Sequence, residues 1–136
     1  MELDAAVAHA RTTRNSVFVT MRGNGRPQLS NVSYFFDPRN LVIQVSIAEP
    51  RAKTRNLRRD PRATLSIIAD DWHAYLVVEG TCTIVEDDPV PLLRRVYERI
   101  RGQAHPNWGE FDAAMRRDGR VVLSISVDRI YPLDRG

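Results

Sequence analysis

The chain carries one cysteine, Cys82, which excludes an internal disulfide and leaves no thiol cluster for a metal. Its place inside a strand-like run makes a buried, inert thiol the expected state. Long apolar runs are absent, as is a signal-peptide pattern, so a cytoplasmic protein without a membrane partner is expected. No third glycine follows Gly23-Asn24-Gly25 and no helix opens there, which excludes a Rossmann-type phosphate loop. No nucleophile–base pair, paired-carboxylate site or metal-ligand spacing stands out, since His73 has only the turn residues Asp70 and Asp71 beside it.

At 136 residues, with 43% hydrophobic and 27% charged residues, the chain is expected to form one globular domain spanning 1–136. A domain this small can have its ligand site completed by a second subunit. The net charge is only +3, yet six cations fall between Arg51 and Arg62 with Asp60 alone against them. Such local concentration points to a small anionic ligand rather than a long polyanion. Nucleic-acid binding by a single-strand platform would need interleaved aromatics, and this stretch has none.

The organising segment is Leu41 to Leu65. Leu41, Ile43, Val45 and Ile47 alternate with Val42, Gln44 and Ser46, which predicts a strand with one core face and one face ending in polar groups. Pro50 suits a first helical position and Pro61 bars continuation, so a short helix is predicted over about 50–59. Arg51 and Lys53 then lie in its first turn, where cations oppose the helix dipole at a cost of about 0.3–1 kcal/mol each. A phosphate held by those side chains and the free helix N–H groups would reverse that penalty. A solvated basic helix that merely keeps the surface soluble is the competing reading.

Elsewhere, Leu3, Ala6, Val7 and Ala10 recur at helical spacing, and Val17 to Met21 reads as a strand turned back by Gly23-Asn24-Gly25 into Gln28 to Phe36. Ser30 and Asn31 interrupt that apolar return strand, and buried polar groups there need a partner, whether ligand, backbone or water. Asp37-Pro38-Arg39-Asn40 has type I turn chemistry. Further strands are predicted over 63–69, over 75–85 with a bulge or bend at Gly80, and over 121–127. Between the last two, a helix begins near Pro89, and Asn107-Trp108-Gly109-Glu110 opens another as a capping box. The total is about six strands without βαβ repetition, a mainly antiparallel sheet or small barrel.

The runs Arg26-Pro27-Gln28-Leu29-Ser30-Asn31 and Gln44-Val45-Ser46-Ile47-Ala48-Glu49-Pro50-Arg51-Ala52-Lys53-Thr54-Arg55-Asn56-Leu57 resemble the flavin/deazaflavin oxidoreductases of the pyridoxamine-phosphate-oxidase-like superfamily, and more narrowly its actinobacterial branch that uses coenzyme F-420. The resemblance implies a mainly β fold, a six-stranded antiparallel split β-barrel with flanking helices. It also implies a homodimer with the cofactor groove at the subunit interface. By the same resemblance Arg51, Lys53 and Thr54 carry the cofactor-phosphate motif, while Ser30, Asn31, Gln44, Val45 and Ser46 line the ring and ribityl chain, some through backbone groups. Hydroxyls and amides suit a polyol and a pyrimidine edge, and cations suit phosphate.

The implied activity is hydride transfer between F-420 and a conjugated small-molecule acceptor. FMN in the same groove, or a non-catalytic flavin or F-420 carrier, is the alternative. Arg55 and Arg58 would favour the acidic tail of F-420. The arginine-rich C-terminal segment of true pyridoxamine phosphate oxidases is missing, so that substrate is not expected.

Overall fold

The computed structural model describes residues 8, 10, 14–48, 51–68, 72–73 and 75–131. The turn at Asp70-Asp71, Pro50 and all but two residues of the expected N-terminal helix lie outside that set. Among the described residues the complete elements are seven strands and three helices, in the order β1 (Asn15–Met21), β2 (Pro27–Ser33), β3 (Phe35–Asp37), β4 (Val42–Ala48), α1 (Ala52–Arg59), β5 (Arg62–Ile68), β6 (Tyr75–Val85), α2 (Val90–Arg101), α3 (Trp108–Arg117) and β7 (Arg120–Tyr131). All neighbours pair antiparallel, in the order β2-β1-β5-β6-β7-β4-β3.

The two edge strands of this sheet, β2 and β3, are consecutive in the chain and joined through Tyr34 alone. A sheet whose opposite edges are tied by one residue must curl, and the result is a split barrel. Tyr34 is the corner: its ring is buried, its N–H donates to Arg14 O at 2.8 Å and its hydroxyl to Ala10 O at 3.0 Å. The expected single return strand over 28–36 is therefore two strands, which raises the count from six to seven.

The barrel interior is filled by inward positions of successive strands, among them Phe18, Ile43, Leu65, Ile67, Leu76, Val78, Leu123 and Ile125, all without exposed surface. Cys82 belongs to this core, and burial pushes its thiol up to about 12, so it stays protonated and unreactive. A second cluster forms outside the barrel, where Leu93, Val96 and Phe111 of α2 and α3 cover Val122. β7 thus buries Val121, Val122 and Leu123 in a row because both of its faces are covered. The two helices are latched by Arg94, whose Nε and Nη2 reach the two oxygens of Asp112 at 2.9 and 2.5 Å.

Three boundaries differ from the sequence expectation. Leu41 takes φ 52° as the last residue of the turn instead of opening β4. Asp37 accepts the N–H groups of Arg39 and Asn40, and reversal within so few residues requires a left-handed position. Helix α1 starts at Ala52, so Arg51 is its N-cap in extended conformation, not a first-turn residue. β7 runs on to Tyr131, pairing with β6 across a register shift at Glu79/Gly80, the bulge that Gly80 predicted. Among the described residues no helix is long and apolar enough to cross a membrane, and no group of three potential metal ligands gathers.

Candidate functional site

A groove of about 700 Å³ lies between the open side of the barrel and the helical pair. One wall is polar and cationic, formed by Asn31 and Ser33 of β2, Ser46 of β4, and Arg51 and Lys53 at the start of α1. The other is mainly apolar, formed by Leu93, Val96, Tyr97, Phe111 and Met115 of α2 and α3, with Arg101, His105 and Glu110 also on the lining. The aromatic side is held by edge-to-face packing, with Tyr97 5.2 Å from both His105 and Phe111 between ring centroids.

The cationic corner follows from how α1 begins. Thr54 is buried, and its hydroxyl donates to Arg51 O at 2.8 Å while accepting Arg51 N–H at 3.2 Å. This reciprocal tie orients the N-cap and leaves the remaining first-turn N–H groups open. Lys53 is half-buried, reaches Ser30 Oγ only at 3.4 Å, and meets no carboxylate among the described residues. Desolvation first, and the charge of Arg51 second, hold its pKa below the ordinary lysine value of 10.5. Two cations are thus kept close at a helix N-terminus, with no acid partner among the described residues. A bound anion would offset that arrangement.

Of the eight residues expected from sequence, Asn31, Ser46, Arg51 and Lys53 line the groove, and Ser30 stands behind Lys53. The other three are committed elsewhere. Val45 points into the barrel core and has only its backbone to offer. Gln44 accepts from Arg99 Nη1 at 2.9 Å through Oε1, and Arg99 in turn lies 5.0 Å over the Phe35 ring. Thr54 spends its hydroxyl on the cap described above. Thr54→Val is therefore expected to cost roughly 1 kcal/mol of folding stability, read by urea denaturation, because the N-cap tie is lost. An unchanged denaturation midpoint would contradict this assignment. Arg58, expected to favour an acidic tail, pairs with Glu86 at 2.7 Å.

One lining residue had no local signal. Arg120 opens β7 opposite Ala48 and reaches back to donate from Nη1 to Ser46 O at 3.3 Å, and its enclosed Nε has no acceptor. An unsatisfied buried donor costs about 1–3 kcal/mol. Only the β4–β7 register brings it here. Against a ribityl phosphate and a flat ring, the donor set fits: cations and open N–H groups for phosphate, Asn31 and Ser46 for polyol or pyrimidine, and apolar walls beyond them.

Residues 3–134 match the pyridoxamine 5'-phosphate oxidase family across nearly the whole chain. The chain belongs to this family. Members bind flavins or related cofactors. Among solved structures, it is similar to a conserved hypothetical protein from Mycobacterium tuberculosis at 22% identity, covering 98% of this chain and 85% of that one with a TM-score of 0.75. An F-420 reductase matches at 20% identity over 91% of this chain and 94% of that one, TM-score 0.68. A heme storage protein from Vibrio cholerae matches at 18% over 100% and 98%, TM-score 0.70. At these identities the likenesses establish the fold, which functionally different proteins share.

Proposed function

We propose that this family member is an F-420-dependent oxidoreductase that transfers a hydride between the deazaflavin and a conjugated organic acceptor, with FMN in the same groove as the alternative cofactor. The observation that carries the reading is the pair Arg51 and Lys53 at the start of α1, without an acid partner among the described residues, on the polar wall of a groove whose opposite wall is mainly apolar. In this reading Arg51, Lys53 and the α1 N–H groups hold the phosphoryl group, and Asn31 and Ser46 meet the polyol and ring edge. Lys53 also donates to Ser30, so Ser30 helps aim the ammonium. A bound deazaflavin supplies the hydride chemistry from its ring carbon C5. The chain's task is to orient that ring, and the apolar side chains of α2 and α3 exclude water from the face where an acceptor lies.

A homodimer is part of the proposal. Asn31, Val32 and Ser33 of edge strand β2 border both this groove and a second cavity, of about 660 Å³, lined also by Asn15 and Val17 of β1 and Ser66 of β5. Leu29, on the same strand, is 58% exposed, an apolar side chain at a sheet edge that a second copy would cover. Two measurements test the function together. Titration of the purified protein with F-420 and with FMN, followed by tryptophan fluorescence and the cofactor's visible spectrum, is expected to show saturable binding with F-420 the tighter. Reduced F-420 is then expected to be oxidised when a quinone or enone is added. Binding without turnover across the acceptor panel would make the protein a carrier, and no binding of either cofactor would overturn the reading.

A further inference from the structure

We propose that Arg120 is a third oxyanion-binding group of the groove, offering its Nε–Nη2 edge to a phosphoryl or carboxylate group of the molecule bound there. Three observations meet on this residue. It lines the groove together with Arg51, Lys53 and Ser46. Its Nη1 is tethered to Ser46 O at 3.3 Å, and its Nε, enclosed by protein, has no acceptor. The tether occupies the nitrogen on the far side of the guanidinium from Nε, so the edge that takes two oxygens side by side is the one without a partner.

The same protein shows what that edge does when an acid is supplied. Arg94 holds Asp112 through Nε and Nη2, and Arg62 holds Asp60 through the same pair of nitrogens. Both arginines are matched by a carboxylate of the chain; Arg120 meets none among the described residues. Its neighbours across the β4–β7 pairing are Ser46, Ile47 and Ala48, none of which carries an acid. Because Nε is enclosed, engagement of this edge requires the side chain to rotate so that the edge faces the bound group. A lysine has the charge but cannot offer two parallel donors, so Arg120→Lys separates the fork from the charge.

The inference deepens the proposed function but does not stand or fall with it, because inorganic phosphate probes the edge without any flavin. In the first arm the thermal midpoint of the wild-type protein is followed against inorganic phosphate, and the apparent phosphate affinity is expected to drop about tenfold in Arg120→Lys. Equal phosphate-dependent shifts in the two proteins would overturn the proposal. In the second arm FMN, riboflavin and F-420 are titrated onto both proteins. Weakening of FMN with riboflavin within twofold of wild type supports a phosphoryl group at Arg120. Weakening of F-420 with FMN unchanged supports a carboxylate of the F-420 tail. Parallel losses for FMN and riboflavin mean that Arg120 only ties β7 to β4, and overturn the proposal. If Arg120→Lys does not fold, Arg120→Gln, which can still donate to Ser46 O, replaces it in both arms. Should wild type bind none of the three cofactors while the phosphate arm still separates the variant, the oxyanion edge stands and the flavin reading falls.

Discussion

Lys53→Ala is expected to lower the affinity for F-420 and FMN by roughly 10- to 100-fold, while Arg95→Ala, an exposed change on α2 outside the groove lining, leaves both within twofold. The magnitude is that of one charge-assisted hydrogen bond to a phosphoryl group in a partly desolvated corner. The sign of the accompanying stability change separates the two readings of the basic helix. Lys53 lies beside Arg51, with no acid partner among the described residues, and its pKa is lowered by desolvation and by that neighbour. A group whose folded pKa is depressed in this way penalises the folded apo-protein while it is protonated. The penalty lifts as pH rises through the folded pKa.

Removing the ammonium should therefore leave the apo-protein as stable as before or slightly more so, although ligand affinity collapses. If the helix were only a solubilising surface, ligand affinity would not move at all. The pH dependence has the opposite direction for binding. Affinity for the phosphorylated cofactor falls as Lys53 deprotonates, and the fall begins below 10.5, the ordinary lysine value. A calorimetric titration series across alkaline pH reads this directly, and a flat affinity up to that value would remove Lys53 from the phosphate site.

Gly80→Ala is expected to destabilise the fold by about 3 kcal/mol, a drop in thermal midpoint of roughly 10 °C. A Cβ at this position would stand 2.4 Å from Ser126 O and 2.6 Å from Ile125 Cγ2. The first of these is backbone in the central β6–β7 pairing, at the register shift between Glu79 and Gly80, so it cannot swing aside as a flexible side chain would. Ile125 is fully buried and has no space to yield. Gly109 provides the contrast. Its added Cβ would come no nearer than 3.5 Å to Asn107 Oδ1, and alanine in the first turn of α3 is expected to be neutral or mildly stabilising. Differential scanning calorimetry of the two variants decides the matter; similar midpoints would mean that β6 and β7 do not approach as closely as this.

Some of this architecture is written in short-range pattern. The alternation from Val42 to Ala48 matches a strand whose residues Ile43, Val45 and Ile47 are buried and whose intervening ones are not, because a two-residue period reports which side of one strand faces oil. The hairpin around Gly25, with φ 83°, and the N-cap of α3, where Asn107 Oδ1 accepts Glu110 N–H at 3.1 Å, follow from local backbone chemistry in the same way. The cations Arg51 and Lys53 at the start of α1 marked the groove's anion-binding end for the same reason: a helix dipole acts within one turn.

What the residue order determined by itself was thus a strand-rich fold, its main turns and caps, and a positive corner at the start of α1. Only the tertiary structure decided that Tyr34 breaks the return strand to join the two edges of the sheet, and that α2 and α3 cover Val122 and wall the groove. It also turned Gln44 toward Arg99, consumed the Thr54 hydroxyl in a cap, and set Arg120 beside Ser46. Each of those outcomes depends on which distant segments meet and in what register. That choice is settled by the summed burial and pairing of the whole sheet, a quantity no short window of sequence contains.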